Sequence, residues 1–207
     1  MKTIAQTAAA LALPFVMAAC ATPTPIDPQA AFMADLASHC GKAYPGRLVT
    51  NDPADADLAD KPMIVHFRNC SPDRMEIPFH VGTNDGGWDR SRTWIITRTA
   101  TGLRLKHDHR HADGSVDKVT QYGGDTATPG TAGQQVFPVD ADSIAMFRAE
   151  GLGRSATNRW EVEIDSKRAR PVYAYALRRP GGPDARNFRV EFDLSQPIAP
   201  PPAPWGW

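Results

Sequence analysis

An excess of charge of either sign is missing from this sequence. Its 207 residues carry 23 Lys and Arg against 23 Asp and Glu. No basic surplus marks a nucleic-acid surface, and steering by net charge has little to act through. Cysteine is scarce, at three residues. No two of them form a C-x-x-C pair, which excludes a dithiol redox motif. There is no G-x-S-x-G elbow and no H-E-x-x-H helix, so the common serine-hydrolase and zinc-protease signatures are absent. Long uncharged apolar runs are absent beyond the first twenty residues. None of this names a reaction, but 42% hydrophobic residues and this length suit one folded domain with a proper core.

The exception is the start, MKTIAQTAAALALPFVMAAC. Lys2 supplies a short positive region, and Ile4 to Ala19 is apolar and uncharged. The run is short for a spanning helix and small residues close it, as in an export signal. Its end, VMAAC, resembles the lipobox of bacterial lipoproteins, with Met17 where leucine is usual. The resemblance implies cleavage before Cys20, acylation of that cysteine and a membrane partner reached through the lipid. Ala21, where aspartate is not found, implies the outer membrane, facing the periplasm. The alternative is an ordinary secretory cut after Ala21 and a soluble periplasmic protein. The expected organisation is a signal peptide at 1–19, a lipidated proline-rich tether at 20–30, one domain at 31–196 and a proline-rich tail at 197–207 expected to be mobile.

With Cys20 set aside, Cys40 and Cys70 remain. An exported chain with an even pair suggests one disulfide; two buried thiols are the alternative.

AAFMADLASHC has Phe32, Met33, Leu36 and Cys40 at helical spacing, with Gly41 as a stop, and ADSIAMFRAEG is a second short helix. The rest reads as strands at 44–50, 63–70, 76–81, 92–100, 103–111, 116–122, 134–139, 159–164, 172–178 and 188–194. Alternation is cleanest where Trp160, Val162 and Ile164 oppose Glu161 and Glu163. About ten short strands joined by short turns predict a mainly β fold. The expectation is an antiparallel up-and-down barrel of the calycin type, with a β-sandwich as the alternative. GLGRSA matches a dinucleotide fingerprint but follows a helix and precedes a strand, so it reads as a connection. The body, above all LRLKHDHRHADGSVDKVTQYGGDT and DRSRTW, resembles a group of proteobacterial secreted proteins of uncharacterised activity, which implies an exported domain and no particular chemistry.

LRLKHDHRHADGS holds the candidate site. Leu103, Leu105, His107, His109 and His111 share one strand face; Arg104, Lys106, Asp108 and Arg110 share the other. The leucines mark the core side, so the three histidines are expected to run inward towards a mouth. Asp113-Gly114 predicts a two-residue hairpin loop. That register sets His109 opposite Lys118, His107 opposite Thr120, Leu105 opposite Tyr122, and Arg110 opposite Asp117. The predicted ligand site is therefore His107, His109, His111, Lys118, Thr120 and Tyr122, with Arg92 adding an anion contact. It suits a small amphipathic or anionic ligand or an envelope component. His107 and His109 are the weak metal candidates, with His66 and His80 as further ligands; three histidines in a row are too spread for one tetrahedral ion. A two-histidine metal-dependent enzyme and an envelope scaffold are the alternative functions. No catalytic residue, cofactor or nucleic-acid partner is expected.

Overall fold

The computed structural model describes residues 27–207. The leader, Cys20 and most of the expected tether lie outside the described residues.

The first element is α1 (Pro28–Ser38). The Asp27 side chain accepts a hydrogen bond from the Gln29 amide, and Pro28 opens the helix where its missing N–H costs nothing. The helix thus begins within the segment expected as tether. Phe32, Met33 and Leu36 are buried. Just beyond it, Cys40 is disulfide-bonded to Cys70, 30 residues away. Closing such a loop stabilises by about 3–4 kcal/mol in the chain-entropy model.

Eleven strands follow: β1 (Ala43–Leu48), β2 (Met63–His66), β3 (Asn69–Ser71), β4 (Arg74–Gly82), β5 (Trp88–Arg98), β6 (Leu103–His109), β7 (Tyr122–Asp125), β8 (Gln134–Pro138), β9 (Arg159–Asp165), β10 (Val172–Arg179) and β11 (Arg186–Asp193). Ten of them form a single antiparallel path, β7-β6-β5-β4-β2-β1-β11-β10-β9-β8, and β3 pairs β4 to the side. Apart from β11–β1, and from β2–β4 where the side strand β3 intervenes, neighbours on the path are neighbours in sequence, the mark of an up-and-down barrel. The ring is nearly closed, with a seam between β7 and β8. There the Asp140 amide donates to the Gly123 carbonyl at 2.9 Å. Gly124 permits the approach: a Cβ at that position would stand 1.7 Å from the Pro138 carbonyl oxygen.

The long strand expected at 63–70 breaks after His66, and the chain resumes pairing at Asn69. The strand expected at 116–122 is largely irregular chain, joined to β6 by an isolated bridge between Arg110 and Val116. GLGRSA is a connection that includes a 3-10 turn, Gly153–Thr157.

Inward residues of alternate positions fill the barrel, among them Ile77, Ile96, Leu105, Val162, Tyr173 and Phe192, all at or near zero exposure. Helix α1 closes one end. Gln29 reaches Thr126, and the His39 ring meets the Ser166 hydroxyl, both in the loops of that end. At the other end the strands Trp88–Arg98, Leu103–His109 and Arg186–Asp193 present Arg92, His109 and Arg186. That end is not filled, and it carries the candidate site.

Candidate functional site

Strand β6 keeps the predicted parity for most of its length. Leu103 and Leu105 are fully buried, His107 is 2% exposed, and His109 also faces inward. The strand ends there, so His111 departs from the expectation. Its side chain is 57% exposed, in a loose pair with Asp117 at 3.7 Å.

The predicted register is corrected for the same reason. A two-residue type I′ loop needs positive φ at both central residues. Gly114 has φ 86°, whereas Asp113 is not left-handed. The loop instead spans three residues, with the His111 amide donating to the Ser115 carbonyl and the Gly114 amide to the His111 carbonyl. Residues 117–121 then swing out of the ladder before β7 rejoins it, and His107 pairs with Tyr122 instead of Thr120. Leu105 faces Gly124. Lys118 is carried outward to an ion pair with Glu150 at 2.6 Å, its side chain 77% exposed. Thr120 closes the gap, its hydroxyl accepting from the His109 amide at 2.8 Å. The expected Arg110–Asp117 pair is absent; Arg110 holds Asp108 at 2.9 Å.

Inside the barrel the polar groups are tightly organised. His107 Nδ1 lies 2.9 Å from the Tyr122 carbonyl oxygen, which can only accept, so Nδ1 carries the proton. His107 Nε2 therefore accepts from the Tyr175 hydroxyl at 2.7 Å. The Tyr122 ring stacks on His107 with centroids 4.5 Å apart, and its hydroxyl meets His109 Nε2 at 3.0 Å. Burial pushes His107 down to about 3 and His109 down to about 4, the latter helped by Arg92. Both rings are neutral at pH 7 and supply hydrogen bonds without positive charge. Burial likewise pushes the Tyr122 hydroxyl up to about 12.

A chelate through His107 Nε2 would displace the Tyr175 hydroxyl, and one through His109 Nε2 would displace that of Tyr122. His66 and His80 cannot complete it: they share the outer face of β2 and β4, across the wall from Val65, Phe79 and Val81. Among the described residues no cluster of three or more His, Cys, Asp or Glu is placed to hold a metal ion.

A cavity of about 190 Å³ opens above His107 and Trp94. Its floor is an aromatic stack: Trp94 lies 4.2 Å from Tyr175 on one side and 4.9 Å from Phe79 on the other, by ring centroids. Arg92, expected to add an anion contact, stands on its wall and is paired with Asp89 at 2.5 Å. A 3-10 turn, Pro53–Leu58, roofs it with Leu58, pinned because Arg186 grips the Asp55 carboxylate with bonds of 2.8 and 2.6 Å. A second compartment of about 570 Å³ adjoins it and shares His109, Tyr122, Tyr175, Leu177 and Arg186. Its far wall includes Phe147 of α2 (Ala141–Ala149), Leu152 and Arg179. A larger hollow, about 780 Å³, lies on the outer wall beside Arg47, Arg168 and Arg170, all exposed to solvent.

Sequence reasoning missed Tyr175, Trp94 and Arg179 as site residues. Trp94 shares the parity of Arg92, which was a usable signal. Tyr175 and Arg179 lie some seventy residues from the histidines, and nothing local announces that they meet them.

No protein-family model matches the chain, and no curated protein does. Among solved structures it is similar to a de novo designed fluorescence-activating β-barrel, at 14% identity and a TM-score of 0.32 over 77% of this chain and 96% of that one.

Proposed function

We propose that this chain is an exported domain, held to the envelope through a lipid on Cys20, that binds a small amphipathic ligand in the mouth of its barrel. The observation that carries the binding role is the cavity itself. It combines an aromatic floor of Phe79, Trp94 and Tyr175 with a few polar groups on one side, the usual make-up of a small-molecule site. The His107–Tyr175 bond and the Arg186–Asp55 clamp hold floor and roof in place before a ligand arrives, which lowers the entropic cost of binding. The disulfide supports the compartment, because such bonds persist where thiols are not kept reduced. No helix among the described residues is long and apolar enough to cross a membrane. Attachment in this reading comes from the acylated cysteine.

Calorimetric titration with 2-naphthamide, a flat neutral aromatic, tests the mouth. The expected result is one-to-one binding with a Kd of about 100 µM or tighter. Leu177→Trp, at the junction of the two compartments, should abolish it. Absence of binding to the unaltered protein, or full binding by Leu177→Trp, removes the reading. The anchor is tested separately by the mass of the mature N-terminus: an acylated Cys20 is expected, and a free amine at residue 22 refutes it.

A further inference from the structure

We propose that Arg179 is the anion-binding group of this mouth, and that the ligand carries a carboxylate head on an apolar body. The inference rests on the mouth being a ligand site and names the chemistry that the site selects.

Arg179 ends β10 and is 8% exposed. Its Nε donates to the Asn158 side-chain oxygen at 2.9 Å and its Nη1 to the Asp184 carbonyl at 3.0 Å. Both acceptors are neutral. Among the described residues no carboxylate lies within ion-pair distance of it and no hydrogen bond engages Nη2. Three other sheltered guanidiniums differ, and half-buried Arg90 donates to the Ala203 carbonyl away from this compartment. Arg186 holds Asp52 and Asp55, Arg189 holds Glu163 and Glu191, and Arg110 holds Asp108. A guanidinium sheltered from water without a counter-ion carries an unrelieved desolvation cost. An arriving anion relieves that cost.

The surroundings reinforce the assignment. Burial lowers the Arg179 pKa, and the nearby Arg154 and Arg186 lower it further, outweighing the more favourable fields of Asp184 and Asp52. The local potential is thus positive. Asp117 is the one carboxylate among the residues lining this compartment, and its Oδ1 already accepts from the Val119 amide at 2.7 Å. The cationic Lys118 is paired with Glu150.

Apolar walls begin beside the cation. Phe147, Leu152, Trp160 and Leu177 line the same compartment. Leu177 and Tyr175 lead from it to the Trp94 floor. A head at Arg179 therefore leaves an apolar body running inward over Leu177 towards Trp94. A guanidinium suits a carboxylate because its N–H groups meet the oxygens in plane.

The test compares 2-naphthoate with 2-naphthamide, which share shape and differ in charge, by calorimetry on the unaltered protein, Arg179→Gln and Arg179→Lys. The unaltered protein should prefer the naphthoate by about ten-fold or more, the scale of one charged hydrogen bond. Arg179→Gln should bring the ratio of the two affinities close to one, and Arg179→Lys should fall between. If naphthamide binds and naphthoate gains nothing, the anion subsite is wrong and the mouth reading stands. If Arg179→Gln keeps the preference, the charge lies elsewhere and the assignment is overturned. If neither probe binds, both readings fall together. The comparison on the unaltered protein stands even if Arg179→Gln does not fold.

Discussion

His107 and Tyr175 brace the barrel from opposite sides, with the Tyr175 hydroxyl donating to His107 Nε2 across 2.7 Å between β6 and β10. The two strands are six places apart on the path of the sheet, and no backbone ladder joins them directly. The imidazole is held at its other nitrogen by the Tyr122 carbonyl. With both nitrogens committed and the ring uncharged, His107 is a fixed part of the floor, unsuited to take a metal or shuttle a proton. His109 differs: its Nε2 meets Tyr122, and its Nδ1 has no partner among the described residues. It is the histidine that can address a ligand.

Removing the brace should therefore cost stability. Tyr175→Phe keeps the ring stacked on Trp94 and leaves Nε2 of a buried histidine without a donor. The expected loss is about 1–3 kcal/mol, the cost of an unsatisfied buried acceptor. Urea denaturation at pH 7.5 checks it. A change below about 0.5 kcal/mol means that water or another donor replaces the hydroxyl.

Acid should weaken the protein well above the carboxylate range. His80 is fully buried with neither ring nitrogen bonded, and burial pushes it down to about 4; His107 is pushed down to about 3. The unfolded chain protonates these rings near pH 6.5, while the folded one does not until much lower. Their contribution is thus complete above pH 6.5 and shrinks as pH falls towards 4. At pH 5 each ring costs about 2 kcal/mol relative to pH 7.5. His109, pushed down to about 4, adds to the same effect, and His80→Leu removes one of these rings together with its unbonded nitrogens. Denaturation at pH 7.5 and pH 5.0 should show the variant losing about 2 kcal/mol less than the parent. Equal losses in both proteins contradict this account of His80.

How far the sequence foretold this site depends on the range of the interaction involved. Alternation has a period of two set by the strand itself, so Leu103 and Leu105 carried His107 and His109 inward without further information. The same parity ran on past the strand's end and wrongly took His111 with it, because nothing in the residues marks where pairing stops. The Asp113-Gly114 signal located a hairpin but not its loop length. Turn residues constrain φ locally, whereas register depends on the excursion of residues 117–121, which Asp117 and Thr120 stabilise from within. Lys118 and Thr120 were misplaced through that one error. Tyr122 still reached the mouth, by pairing with His107. Cys40 and Cys70 joined as expected since they were the two cysteines left once Cys20 was set aside. The Tyr175 and Arg179 contacts were invisible, being fixed by barrel closure through β11 and β1 at the far end of the chain.

The C-terminal segment, expected to hang free, is instead a strap across the outer wall, and its removal should be felt in the fold. The Ile198 amide donates to the Ala43 carbonyl of β1 at 2.9 Å, Arg90 of β5 donates to the Ala203 carbonyl at 2.7 Å, and the Trp205 amide donates to the Arg90 carbonyl at 3.1 Å. Trp207 Nε1 reaches Asp108 of β6 at 3.4 Å. Between these points the chain must pass over β2 and β4. That path accounts for outward-facing residues that are nonetheless buried: Ile64, His80, Thr93, Ile95 and Asp108. Deleting residues 197–207 removes several hydrogen bonds of about 1 kcal/mol each, so a loss of about 3 kcal/mol is expected. It should also admit water to His80 and let its pKa climb from about 4 towards the ordinary histidine value. Chemical denaturation reads the first effect and an NMR titration of the histidine rings the second. A truncated protein as stable as the parent, with His80 still neutral at pH 5, would show that the strap covers nothing that matters to the fold.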